Sequence, residues 1–114
     1  MDALEMTLLF DYYGEILTAR QKLCFDMRYN QDLSLGEIAE ELGISRQGVH
    51  DNLSRTEAQL RNMEAKTGCV SRDQACRKAA KTILDAAKQL RQHSDQTVSD
   101  LAQTILSAAQ GLEE

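Results

Sequence analysis

The chain has 114 residues, a formal net charge of −5, no proline and only six glycines, a length that fits one domain or one domain with an extension. No apolar run approaches the ~18 residues of a membrane span, and no basic region followed by an apolar run marks a secretion signal. Three scattered cysteines are typical of reduced thiols. We therefore expect a cytoplasmic protein without a membrane span.

The distribution of charge argues against tight binding to duplex DNA. Residues 1–16 hold four acids and no base, residues 17–66 hold eight acids and seven bases, and residues 67–114 hold six of each. A free-standing DNA-binding domain usually carries a basic surplus that neutralises phosphates. We therefore expect DNA binding by this chain, if it occurs, to be weak.

Apolar residues recur at intervals of three and four, which predicts an all-α fold. The first helix is expected over residues 3–16, with a buried stripe formed by Leu4, Leu8 and Tyr12 and widened by Leu9, Tyr13 and Ile16. The aromatic residues of this segment, Phe10, Tyr12 and Tyr13, could stack on bases. Without Lys or Arg nearby, a place in the core or in a subunit contact is favoured.

A second helix is expected to begin after Thr18 and to run to about Tyr29. Thr18 and Gln21 have the spacing of a capping box, in which each side chain binds the other residue's backbone N–H. The side chains predicted to face inward are Leu23, Cys24, Phe25 and Met27.

Residues 34–53 have the pattern of a helix-turn-helix, although an ordinary helical hairpin is the alternative. Ser34 and Glu37 form a second capping box before a short helix, and Ser45 caps the helix that follows. Gly43 stands where the chain must reverse, because glycine takes a positive φ without strain. The expected apolar face consists of Ile38, Leu42, Val49 and Leu53.

The second helix of this motif is expected to continue to about Lys66. Its outer face carries the candidate nucleic-acid contacts Arg46, Gln47, His50, Ser54 and Arg55. Gly48 adds no side chain to this face, and Asp51 adds a carboxylate that repels phosphates.

The remaining residues predict two further helices, so that a helix-turn-helix domain (residues 1–66) is followed by a C-terminal helical extension (residues 67–114). Ser71, with Gln74, is expected to cap the first, and Ser94 or Asp95 the second. The first contains the one basic cluster of the chain, Arg72, Arg77, Lys78, Lys81, Lys88 and Arg91. These residues contact RNA or an acidic partner, or they form a solvated face.

The last helix carries apolar residues at heptad-like spacing: Val98, Leu101, Ile105, Ala108 and Leu112. This seam folds back on the domain or pairs with another subunit. Together with the apolar N-terminal helix, it predicts a homodimer.

No set of residues has the spacing of a catalytic, metal or cofactor site. His50 and His93 are far apart in the sequence, and the three cysteines form no CxxC motif. The sequence therefore predicts a protein that is not an enzyme and has no cofactor.

Residues 17–60 resemble region 4 of bacterial sigma factors, which is a helix-turn-helix of the winged-helix-type DNA-binding superfamily without the wing. A more specific resemblance is to the YlxM family of small bacterial helix-turn-helix proteins. It rests on Phe10-Asp11-Tyr12-Tyr13-Gly14, Leu17-Thr18 with Gln21, Ser34-Leu35-Gly36-Glu37-Ile38-Ala39-Glu40, Ser45-Arg46-Gln47, Asp51-Asn52 and Arg55-Thr56-Glu57.

The YlxM resemblance implies a non-catalytic regulator of the signal recognition particle pathway, with the particle's RNA or the targeting GTPase as its partner. The alternative is a transcriptional regulator that binds DNA through the sigma-like motif. A module that binds only proteins is a third possibility.

Overall fold

The computed structural model describes residues 3–112, which form six α-helices and no strand. The prediction of an all-α fold with a helix-turn-helix is confirmed. In chain order the elements are α1 (Ala3–Tyr13), a 3-10 turn (Gly14–Ile16), α2 (Ala19–Phe25), a π turn (Asp26–Asn30), α3 (Leu35–Leu42), α4 (Arg46–Thr67), α5 (Cys69–Arg91) and α6 (Gln96–Gln110).

The chain falls into two compact units, unit 1 up to Val70 and unit 2 from Ser71 on. Unit 1 contains α1 to α4 and the start of α5, and unit 2 contains the rest of α5 and α6. The division into domains after residue 66 stays a prediction.

Both predicted capping boxes are present in unit 1. Gln21 N–H donates to Thr18 Oγ1 at 3.2 Å, and Thr18 N–H donates to Gln21 Oε1 at 2.9 Å. In the same way Glu37 N–H donates to Ser34 Oγ at 3.1 Å, and Ser34 N–H donates to Glu37 Oε1 at 3.0 Å. These bonds satisfy N–H groups that the first turn of a helix leaves without partners, so the starts of α2 and α3 are fixed locally.

The turn between α3 and α4 also has the predicted geometry. Gly43 takes φ 66°, in the left-handed region, and Ser45 Oγ accepts from Gly48 N–H at 2.9 Å. A second left-handed glycine, Gly68 (φ 62°), ends α4. Glycine at both positions avoids the contact between Cβ and the carbonyl oxygen that disfavours this region for other residues.

Unit 1 contains two clusters of buried residues, and α4 contributes to both. Val49 and Leu53 pack with α2 and α3, whereas Leu60 packs with α1 and α2. The first cluster is Cys24, Met27, Ile38, Ala39, Val49 and Leu53. The second is Met6, Leu9, Tyr13, Leu17, Phe25, Leu60 and Val70.

The stripe predicted for α1 was wrong in part, although Leu9 and Tyr13 are buried as expected and Leu8 packs, partly buried, against the same cluster. Leu4, Tyr12 and Ile16 are exposed, and the buried side chains are Met6, Leu9 and Tyr13. Because α1 is apolar around most of its circumference, its sequence does not fix which face packs. The ring of Phe10 stacks on Phe25 with centroids 4.3 Å apart, so it belongs to the core, as favoured above.

One inward position of α2 was also wrong. Leu23 is exposed, and Gln21 is buried in its place. The Gln21 side chain accepts the N-cap bond from Thr18 and donates to Gln59 of α4. The polar groups of this side chain therefore have hydrogen-bond partners, so the amide can be buried without an unpaired donor or acceptor.

The start of α5 differs from the sequence prediction, because the helix begins at Cys69 and not after a Ser71 cap. The end of α4 satisfies the first N–H groups of α5. Val70 N–H donates to Glu64 Oε1 at 3.0 Å, and Cys69 N–H donates to Thr67 Oγ1 at 3.3 Å. A cap supplied by the preceding helix has no local sequence pattern, which is why it was not predicted.

Unit 2 is a helical hairpin. Asp95 Oδ1 caps α6 by accepting from Thr97 N–H at 2.8 Å, and Ser99 Oγ donates to the carbonyl of Arg91 at 3.0 Å. The two helices pack through Leu84, Ala87, Leu106 and Ala109. The heptad-like seam of α6 does not make this contact, since Leu101, Ile105 and Leu112 are exposed.

Two glycine substitutions test the geometry of the turn. Gly43→Ala should lower the free energy of unfolding by about 1–2 kcal/mol, because alanine is strained at φ 66°. Gly36→Ala is the control, since a Cβ there meets Arg46 atoms only at 3.8 Å or more inside a helix. It should raise the free energy of unfolding by about 0.5–1 kcal/mol. Urea titrations followed by circular dichroism measure both; equal effects would contradict this account.

Candidate nucleic-acid interface

The predicted contacts of the helix-turn-helix are exposed on the first half of α4, but they do not form one surface. Gln47, His50 and Ser54 fall on one face, since α4 turns by about 100° per residue. Arg46 and Arg55 are nine positions apart and therefore lie on opposite sides of the helix. The two cations thus flank a polar face that contains no Lys or Arg.

Asp51 lies at the edge of this polar face, between Gln47 and Arg55. Its Oδ1 accepts from Gln47 Nε2 at 2.9 Å and lies 3.7 Å from His50 Nδ1. The amide that could bind a base edge is therefore engaged within the helix, and the carboxylate beside it repels phosphates.

The rest of the motif is acidic as well. From Ser34 to Arg55 the chain has four acids (Glu37, Glu40, Glu41 and Asp51) against two bases, Arg46 and Arg55. All four acids are exposed. Because phosphate contacts provide most of the affinity for duplex DNA, this surface is unsuited to tight binding.

The structure explains why residue 48 is a glycine, which the sequence alone did not reveal. Its N–H is the group that Ser45 caps, and a Cβ at this position would lie 3.2 Å from Ser45 Oγ. The glycine lets the cap approach closely. Its neighbour Asn52 is half-buried, and its buried Oδ1 has no hydrogen-bond partner among residues 3–112.

Three polar contacts from the second half of α4 connect this helix to the rest of unit 1. Tyr13 OH donates to Glu64 Oε1 at 2.6 Å, Tyr29 OH donates to Glu57, and Gln21 donates to Gln59. Burial, with the hydrogen bond to Glu57, raises the pKa of Tyr29 to about 12. Burial and the hydrogen bond to Glu64 raise the pKa of Tyr13. These phenols therefore stay protonated near neutral pH and donate to α4, which fixes this helix against α1 and the π turn.

Unit 2 carries the second group of predicted contacts, and the structure brings only some of them together. Lys78, Lys81 and Lys88 lie along one side of α5, about 15 Å from first to last at 1.5 Å per residue. None of these three lysines makes an ion pair with any of residues 3–112. Arg91, three positions after Lys88, lies nearer to α6 and donates to Gln103 of that helix. We call these four residues the basic row.

The other two candidates in unit 2, Arg77 and Arg72, do not belong to the basic row. Arg77 is paired with Asp73, with 3.0 Å between Nε and Oδ2. Arg72 is nine positions before Lys81 and therefore on the opposite side of α5. One acid, Asp85, lies among the lysines of the row.

Residues 3–112 contain no group of three or more His, Cys, Asp or Glu side chains placed to hold a metal ion. No helix in the described range is both long and apolar enough to cross a membrane. Cys24 is fully buried, and burial raises the pKa of its thiol, so it serves as a small core residue.

A family model described as "Putative helix-turn-helix protein, YlxM / p13 like" matches residues 1–101. The chain belongs to this family, UPF0122. The YlxM resemblance is thereby confirmed, and a helix-turn-helix family of this kind indicates nucleic-acid binding.

Similar UPF0122 proteins come from several bacteria. One from Thermoanaerobacter sp. (strain X514) is 55% identical over 73 residues, which is 64% of this chain and 62% of that protein. One from Listeria monocytogenes serovar 1/2a is 41% identical over 100 residues, 88% of this chain and 90% of that protein. The matched part is thus under two thirds of the Thermoanaerobacter relative and most of the Listeria relative.

Replacing Asp51 tests whether this UPF0122 motif is weakened by its own carboxylate. Asp51→Asn removes one negative charge from the polar face, so non-specific binding of duplex DNA at low salt should become several-fold tighter. The control, Glu15→Gln, removes the same charge from the 3-10 turn after α1 and should change binding little. Fluorescence anisotropy with a labelled duplex measures both; an Asp51→Asn variant with unchanged affinity would contradict the role given to this residue.

Proposed function

We propose that this UPF0122 protein is a non-catalytic regulatory accessory of the signal recognition particle pathway in the cytoplasm. It acts by binding the particle's RNA through the basic row of α5. Membership of the YlxM-like family supports the pathway, because the YlxM resemblance implies it.

The main support for RNA binding through α5 is the difference in charge between the two units. The helix-turn-helix has a surplus of acids and its central amide is bonded to Asp51. Lys78, Lys81 and Lys88 are exposed and unpaired within residues 3–112. Phosphates are therefore attracted to α5 more than to α4.

The chemistry beside the basic row also suits a nucleic acid. Gln96, Gln103 and Gln110 of α6 are exposed amides, which donate to and accept from phosphate, sugar and base groups. Gln103 already contacts Arg91, so amides and cations lie on one side of the hairpin. Such a surface positions a ligand mainly through its backbone, with little sequence selectivity.

Salt-dependent RNA binding tests the proposal. Lys81→Ala and Lys88→Ala should each weaken binding of signal recognition particle RNA and lower the slope of log affinity against log salt by about 0.7–0.9. Lys22→Ala, on α2, is the matched control and should leave the slope unchanged. Anisotropy titrations at several salt concentrations measure these values.

A functional assay complements the binding measurement. GTP hydrolysis by the targeting GTPase and its receptor, with the RNA present, should change when the protein is added and should not change with the double variant Lys81→Ala/Lys88→Ala. Absence of both RNA binding and any effect on hydrolysis would overturn the proposal. An effect that survives loss of RNA binding would identify the GTPase as the direct partner.

The alternative is a transcriptional regulator that reads DNA through the helix-turn-helix. The intact turn geometry and the exposure of Arg46, Gln47, His50, Ser54 and Arg55 support it. Selection from random duplexes would then return a defined site, and Arg46→Ala would lose about 1–3 kcal/mol at one base position.

A further inference from the structure

Each helix of unit 2 carries two apolar seams, and the contact within the hairpin uses only one of them. The inner seam contains the buried residues Ala80, Leu84 and Ala87 on α5 and Ala102, Leu106 and Ala109 on α6. A second seam, which we call the outer seam, is formed by residues that come one position earlier in the sequence than those of the inner seam. It consists of Cys76, Ala79, Ile83, Ala86 and Leu90 on α5 and Val98, Leu101, Ile105, Ala108 and Leu112 on α6.

The two outer seams lie on the same side of the hairpin. Ile83 precedes Leu84 by one position, and Leu101 and Ile105 precede Ala102 and Leu106 in the same way. Each is rotated by about 100° in the same sense from the inner seam. In an antiparallel pair, equal rotations lead to the same side, so the ten residues form one continuous surface, which we call the outer face.

The outer face is apolar, uncharged and exposed. Its large side chains have exposed fractions of 42% for Ile83, 47% for Leu90, 62% for Leu101, 40% for Ile105 and 52% for Leu112. None of the ten residues is charged. A spacing of three and four repeated through each seam is the spacing of helices that pack against further helices in a bundle.

Apart from Arg72, which lies one turn before Cys76 on the same side of α5, the charges of unit 2 lie away from this face. Lys81 and Lys88 directly follow the inner residues Ala80 and Ala87, so they are rotated in the opposite sense from the outer seam. A partner seated on the outer face would therefore meet no charge other than Arg72 at one end, and it would leave the basic row uncovered.

We propose that the outer face binds a second copy of itself, so that two α5–α6 hairpins form a four-helix bundle. A two-fold dimer requires a surface that is complementary to itself, and a neutral, apolar face meets this condition whereas a charged one would repel its copy. Bundle helices in this arrangement use both seams, the inner one within a hairpin and the outer one between hairpins.

The size of the face fits such a dimer. It is about 22 Å long, the length of α6, and about 20 Å wide, the width of two helices. The projected area is therefore about 440 Å² per subunit, which approaches the ~600 Å² per subunit of the smaller specific interfaces. A membrane surface fits less well, because interfacial helices have Lys and Arg at the edges of the apolar face, and here the lysines are on the other side.

Sedimentation velocity on the full chain tests the proposal. The protein should be a dimer at micromolar concentrations. Leu101→Glu and Ile83→Glu, one on each helix, should each raise the dimer dissociation constant by about 100-fold or more, because every dimer would bury two unpaired carboxylates. Gln103→Glu, on the other side of α6, is the control and should remain dimeric.

Two further measurements make the outcome decisive. Circular dichroism should show unchanged helix content in both variants, since both positions are exposed in the monomer; Leu101→Gln replaces Leu101→Glu if helix content falls. A monomeric wild-type protein, or a dimer that neither variant weakens, would overturn the proposal. A monomer that sediments with phosphatidylcholine vesicles would overturn it in favour of a lipid partner. RNA binding plays no part in this test, so its result is independent of the proposed function.

Discussion

Burial of a single apolar stripe along α4 is the constraint on which unit 1 depends. Val49 and Leu53 fill the cluster with α2 and α3, and Leu60 fills the cluster with α1. Full burial of three such side chains is worth roughly 5–9 kcal/mol, which is comparable with the whole net stability of a small domain, about 5–15 kcal/mol. Because one rigid helix contributes to both clusters, α1 and α2 support the helix-turn-helix motif. The exposed side chains of α4 can therefore vary in chemistry without loss of the fold.

The residues that maintain the helix-turn-helix geometry are thus different from the residues that are proposed to bind a polyanion. The capping boxes, the left-handed Gly43 and the Ser45 cap preserve the helix-turn-helix geometry, whereas Asp51 and the acids of α3 oppose phosphate binding. Along α5, Lys78, Lys81 and Lys88 are exposed, lie on one side of the helix and make no ion pair within residues 3–112. The helix-turn-helix fold of the family is thus preserved, and under the proposed function the charges of α5 suit a polyanion better than those of the motif.

Local signals in the sequence predicted much of unit 1. Capping boxes and turn glycines act within four residues, so Thr18, Ser34 and Gly43 could be placed correctly. Features that depend on distant contacts could not be predicted. The packed face of α1 is decided by Phe25 and Leu60, and the start of α5 is satisfied by Glu64, six residues earlier. The sequence shows the apolar seam of α6 that contains Leu101 and Ile105. The contact with α5 is made by a second seam beside it, which contains Leu106 and Ala109.

The central claim is that the charged side of unit 2, and not the helix-turn-helix, carries nucleic-acid affinity. A comparison of signal recognition particle RNA with duplex DNA at the same salt concentration tests it most directly, with wild-type protein and the double variants Lys81→Ala/Lys88→Ala and Arg46→Ala/Arg55→Ala. The account predicts tighter binding to the RNA, lost in the lysine variant and retained in the arginine variant. Tighter binding to duplex DNA, lost in the arginine variant and retained in the lysine variant, would contradict it.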